Sequence, residues 1–295
     1  MSDEVKSESL PNDRRKVFFG LFVFPMLIAV TMAILLSGVV LLTHEDETPE
    51  SLITAIKTGA PSKRWQKAYE LSNELNREGG MLRSAGIMNE VIHILNDEEH
   101  YDGKTRAYMA MALSRFRNEE AHEALVEALS KSDDSDDPKL TLFLMWAVAG
   151  HQDPKDAKEI VRFLKSEHSD LRKTAAYVLG ALGDKEVIPE LQRSLEDSVV
   201  DVSWNSALSL ARLNNSSGKD VLYQMLDRNT LRSVHQLNEA EMEQVMVNAA
   251  KALHLILDSQ AKEILEPISK TDPSLKVREA ALASLRTTPK ESLNV

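Results

Sequence analysis

Residues 168–197, HSDLRKTAAYVLGALGDKEVIPELQRSLED, place apolar residues three and four positions apart in two blocks split by Gly-Asp. That spacing predicts two amphipathic helices joined by a tight turn. Shifted by 31 residues, DLRKTAAYVLGALGD at 170–184 meets DVSWNSALSLARLNN at 201–215. On this pattern Leu179 corresponds to Leu71, Leu113, Trp146, Leu210, Leu253 and Leu285, which gives seven copies at intervals of 42, 33, 33, 31, 43 and 32 residues. A second helix lies between successive copies, with apolar pairs Leu52/Ile56, Val91/Leu95, Leu125/Leu129, Ile160/Leu164, Leu191/Leu195, Leu222/Leu226 and Ile264/Ile268. One hairpin alone cannot bury both of its faces, so each must stack on the next. The expected fold is an all-α, right-handed α-solenoid of about seven helical hairpins.

One stretch departs from this pattern. Residues 17–42, VFFGLFVFPMLIAVTMAILLSGVVLL, carry no charge. A run of that length predicts an N-terminal transmembrane helix preceding the solenoid, and it exceeds the apolar core of a signal peptide. Arg14, Arg15 and Lys16 precede it and acids follow it, which predicts the N-terminus inside and the solenoid periplasmic, on a bacterial inner (cytoplasmic) membrane. The expected organisation is a cytoplasmic tail over 1–16, a transmembrane helix over 17–43 and a linker over 44–49. The α-solenoid then fills 50–288 and a C-terminal tail 289–295.

The formal net charge is -11, and residues 1–44 contribute none of it, since four acids there balance four bases. The acidic remainder disfavours a phosphate backbone, so no nucleic-acid partner is expected. There are no cysteines, which excludes thiol nucleophiles and Cys-ligated zinc.

The motif Asp170, Leu171, Arg172, Ala175, Ala176, Leu179, Gly180, Gly183 and Asp184 resembles a HEAT repeat. It is similar to the short HEAT-like type first catalogued in phycobilin lyases. The resemblance extends over about residues 50–287; its arginine recurs at Arg64, Arg106 and Arg278 and is replaced at Ser203 and Met246. It implies a protein-interaction solenoid and names no partner.

No local catalytic or nucleotide-binding signature occurs, and no histidines pair as H-E-x-x-H. His122 and Glu123 read as a solvated helix face. The acidic loop DDSDDPK at 133–139 reads as a turn with Asp137 capping a helix that starts at Pro138, because a calcium loop would need a glycine and a bidentate Glu that are missing. No metal, no cofactor and no catalytic residue is therefore expected, and the chain reads as no enzyme.

In the second helices, the residue midway between the two apolar positions points about 160° from the core. That column contains Thr54, His93, Glu127, Arg162, Arg193, Gln224 and Glu266, and the 228–243 insert adds Arg232 and His235. From Thr54 onward it is a mixed polar face. His93, Glu127, Arg162, Arg193, Gln224, Glu266, Arg232 and His235 are the candidate partner-binding residues, with Arg162 and Arg193 suited to a partner carboxylate. The expected function is a membrane-tethered protein–protein interaction scaffold, assembly factor or accessory subunit of a membrane or envelope complex. A HEAT-like lyase or a small-ligand or chromophore-binding protein is the first alternative, and a cytoplasm-facing membrane adaptor is the second.

Overall fold

The structure is a computed structural model that describes residues 22–43, 48–76, 84–132, 137–256 and 260–286. The chain divides into two units, Met1–Thr48 and Pro49–Val295. The first unit contains α1 (Phe24–Thr43). The uncharged run begins at Val17; residues 17–21 lie outside the described residues. Among the described residues, no helix is long and apolar enough to cross a membrane. The transmembrane helix expected over 17–43 is corrected accordingly, and with it the single-pass inner-membrane localisation. Residues 14–16, on which the orientation rested, lie outside the described residues.

The second unit is helical throughout its described length. The first helices of the hairpins are α3 (Pro61–Glu74), α5 (Gly103–Leu113), α7 (Pro138–Ala149), α9 (Ser169–Leu182), α11 (Val200–Arg212), α14 (Glu239–Ile256) and α16 (Leu275–Arg286). The second helices are α2 (Pro49–Thr58), α4 (Ala85–Asn96), α6 (Glu119–Lys131), α8 (Ala157–Ile160, continued as 3-10 to Lys165), α10 (Ile188–Arg193), α12 (Lys219–Gln224) and α15 (Ala261–Thr271). The insert at 228–243 forms α13 (Arg228–Ser233). First helices pack on first helices along the stack, α3 on α5, α5 on α7 and α9 on α11. The apolar core falls into two clusters, Leu52 to Leu213 and Trp204 to Ala281, and Leu195 packs against both.

Side-chain caps set where these helices begin. Asp102, Asn118 and Asp137 accept from the backbone N–H three residues on, at 2.9, 3.1 and 2.9 Å. Each satisfies a donor that has no partner within its helix, and Pro138 follows Asp137 at the first helical position. The acidic loop therefore ends in the cap read from the sequence; residues 133–136 are outside the described set.

The repeat register needs one correction. Trp146 was aligned with the buried Leu179, yet it is 41% exposed, while Val148 is fully buried. Placing Val148 opposite Leu179 and Leu210 gives two equal intervals of 31 residues. The backbone marks the same spacing. Gln152, Gly183 and Asn214 all take left-handed φ values, 60°, 82° and 58°. The residue after each, Asp153, Asp184 and Asn215, caps the following 3-10 turn through the N–H two residues on. Only Gly183 adopts that conformation without steric cost.

Candidate functional site

Four successive copies, the last three of them 31 residues apart, put different side chains at corresponding positions. At the end of the first helix the series runs Phe116, His151, Leu182 and Leu213. At the start of the second helix it runs Ala121, Asp156, Val187 and Gly218. Phe116, Leu182, Leu213, Ala121 and Val187 are all buried apolar residues. In the turn between α7 and α8, a histidine and a carboxylate occupy both positions at once.

Asp156 is 4% exposed, and both carboxylate oxygens lie within hydrogen-bond distance of His122 Nε2, at 3.0 and 2.9 Å. His122 comes from the preceding hairpin, in the first turn of α6, and its ring stacks on His151 with centroids 4.9 Å apart and planes 13° off parallel. His151 Nε2 is buried without a hydrogen-bond partner among the described residues. Burial pushes the Asp156 carboxyl above its ordinary range, against the pull of His122. Burial pushes His151 down, and the neighbouring His122 adds to this. One carboxylate oxygen each of Asp153 and Asp156 and one ring nitrogen of His122 all lie within 4.8 Å of one another. His122 is thus not on a solvated face, as its acidic sequence neighbours suggested, but is held against a buried acid. The signal available in the sequence was the apolar column broken at 151 and 156, hidden by the misplaced register.

A second feature lies on the face formed by the first helices near the C-terminal end. A cleft of about 490 Å³ opens between α11, α14 and α16, floored by Leu208, Ala252, Leu255 and Ala280, with Arg212 and Lys251 beside them. Arg212 also stacks over Tyr177 of α9, 4.7 Å from the ring centroid, and Tyr177 packs on Trp146 of α7. Further along the same set of helices, Tyr108 of α5 contacts Tyr69 of α3 and Phe143 of α7. An aromatic strip thus runs across the first helices toward the cleft.

The residues proposed from sequence fall elsewhere. His93, Glu127, Arg162, Arg193, Gln224 and Glu266 are all exposed on second helices. Arg162 donates to the carbonyls of Leu129, Ser130 and Ser132, closing the end of α6, and Arg193 pairs with Glu190 at 3.1 Å. The guanidinium of Arg162 is spent on its neighbour hairpin. Glu127 pairs with Lys131 and Glu266 with Lys270. In the insert, Arg232 pairs with Glu239, and His235 meets the Trp204 ring edge-on at 5.2 Å.

Arg228 explains part of what the insert does. Arg172 forms a two-pronged pair with Asp197, at 2.7 and 3.0 Å, which ties the start of α9 to the turn before α11. At the corresponding place in α14 the residue is Met246, and the equivalent acid, Asp272, is paired instead by Arg228 from α13, at 2.7 and 3.1 Å. The insert returns the missing guanidinium from outside the repeat.

Stacked helical hairpins with capped turns at a fixed interval define the class, an α-solenoid. The particular repeat follows from the family comparisons: residues 134–211 and 157–237 match the family described as HEAT repeats. Residues 105–131 match the PBS lyase HEAT-like repeat. Among curated proteins, deoxyhypusine hydroxylase of Drosophila melanogaster is 32% identical over 92 residues, 30% of this chain and 30% of that protein. The match therefore spans about a third of the length of that relative. Among solved structures, the CpcE–CpcF complex of phycocyanin lyase from Nostoc sp. is 20% identical with a TM-score of 0.54, covering 82% of this chain and 88% of that one. Human deoxyhypusine hydroxylase is 17% identical with a TM-score of 0.34, over 80% and 83%. The likeness to the CpcE–CpcF complex extends to the fold, a HEAT-like solenoid. The expectation that the chain is no enzyme is corrected, because the proteins it is similar to are named a lyase and a hydroxylase. No short motif records a pair such as His122 and Asp156, which meet from different hairpins, 34 residues apart.

Proposed function

We propose that this chain is a HEAT-like ligand-handling protein of the lyase type, which holds an amphipathic, anionic small molecule against the first-helix face. The observation that carries this reading is the cleft between α11, α14 and α16. Its floor is apolar, Leu255 is 45% exposed there, and Arg212 and Lys251 provide cationic hydrogen-bond donors at its side. A volume of about 490 Å³ lies within the range of small-molecule sites. The likeness to phycocyanin lyase supports a chromophore bearing carboxylates as the first ligand to try.

The test is titration of the full chain with a bilin, followed by absorbance and induced circular dichroism. Saturable binding is expected, weakened at least tenfold by Leu255→Asp and by Lys251→Glu. Absence of saturable binding, or binding unaffected by either change, overturns the reading. A protein-interaction surface is the second reading, favoured by the aromatic strip, on which Tyr69 is 48% and Trp146 41% exposed. Aromatic residues of this kind anchor protein interfaces. A stoichiometric protein that co-purifies with the full chain and is lost on Trp146→Ala would favour it.

A further inference from the structure

The turn between α7 and α8 departs from its repeat in a way that packing does not explain. Asp156 stands where the other copies have Ala121, Val187 and Gly218, and His151 where they have Phe116, Leu182 and Leu213. Placing a carboxylate at a 4% exposed position costs several kcal/mol unless it is fully paired. A carboxylate offers about four lone-pair sites, and His122 Nε2 is shared between its two oxygens. The next imidazole, stacked on the first, carries a buried nitrogen with no hydrogen-bond partner among the described residues. Two polar residues broke two apolar columns in one turn, and among the described residues His151 Nε2 has no hydrogen-bond partner.

A divalent cation completes this cluster. Ligand atoms about 2.0–2.2 Å from a zinc-type ion stand about 2.9–3.5 Å apart when they are adjacent in its shell. His122 Nε2 and the Asp156 carboxylate already lie at 2.9 Å. Asp153 adds a third oxygen within 4.8 Å of both, so closing the set requires movements of an ångström or so. Imidazole with carboxylates, in a chain without cysteine, selects zinc and its first-row neighbours over calcium or magnesium. We propose that His122, Asp153 and Asp156 form a divalent transition-metal site between the hairpin α5–α6 and the hairpin α7–α8. The ion would join α6 to the α7–α8 turn, a staple across one repeat interface, where solenoid stability is decided.

The test uses the untagged full chain, freed of metal with a chelator and titrated with Zn²⁺ by calorimetry and with Co²⁺ by visible absorbance. One equivalent of each is expected to bind, and Zn²⁺ is expected to raise the Tm while equimolar Mg²⁺ does not. Asp156→Val and His122→Ile copy the residues that the α9–α10 copy carries at these positions, Val187 and Ile188, and each is expected to weaken Zn²⁺ binding at least a hundredfold. His100→Ala, at the exposed His100–Asp97 pair, is expected to leave it unchanged. Equal affinity in the parent and Asp156→Val would overturn the proposal. So would a Tm of the unmodified chain that Zn²⁺ does not move, a result that does not depend on any variant folding.

Discussion

The turn between α7 and α8 and the turn 31 residues later, between α9 and α10, have the same backbone and opposite interiors. Both follow a left-handed residue, Gln152 or Gly183, and both are capped by an aspartate, Asp153 or Asp184. In the second turn, Leu182 and Val187 fill the interface and nothing there needs a partner. In the first, His151 and Asp156 occupy those places; Asp156 is paired with His122, and His151 Nε2 has no partner among the described residues. The repeat tolerates either filling. The apolar one supports the stack, whereas the polar one puts chemistry into it.

The comparison can be broken most severely by giving the second turn the acid of the first. Val187→Asp would bury a carboxylate with no histidine opposite, and is expected to cost about 3–5 kcal/mol in chemical unfolding. Gly180→Ala is expected to cost about 1–3 kcal/mol, because the new Cβ would stand 2.7 Å from the Cα of Ser209 on the adjoining α11. Arg172→Ala is expected to cost about 1.5–3 kcal/mol at neutral pH, near the lower end because both side chains keep some exposure. The Arg172 guanidinium holds the Asp197 carboxyl below its ordinary value of 3.8. Its stabilisation is therefore complete above that pH and disappears as pH falls through the lowered folded value. The gap between the unfolding curves of the parent and Arg172→Ala should narrow in acid below 3.8, leaving the part due to the Ser166 and Glu167 carbonyls that Arg172 also donates to. The smallest effect is a gain: Gln152→Gly gives the first turn the left-handed glycine of the second and is expected to add about 0.5–1 kcal/mol.

How much was legible in the sequence differs between these regions. The hairpin order, the first-helix columns at Leu71, Leu113, Leu179, Leu210 and Leu253, and the Asp137 cap were readable, since leucine spacing and cap chemistry act locally. In α7 the reading slipped by two residues. Nearly every residue of PKLTLFLMWAVA is apolar, so the periodicity that should set the register is flat, and Trp146 passed for a core residue. That slip concealed the metal-type cluster, because His151 fell opposite no leucine. The cluster also joins residues from two hairpins, and no short motif records such a meeting. The exposed column was readable as exposed, but not that Arg162 would turn back onto the carbonyls of α6. In the uncharged N-terminal run, apolar length alone suggested a membrane span.

The central claim is that the α7–α8 turn gives up packing stability for a binding site. The most direct measurement is the Tm of the full chain against that of a variant combining His122→Ile, His151→Leu and Asp156→Val, both in chelator. Replacing a buried polar cluster by apolar residues of similar size stabilises by about 1–4 kcal/mol, so the variant is expected to melt at least about 2 °C higher. A variant that melts at or below the parent without any metal would show that the polar turn stabilises the stack by itself, and would contradict the account.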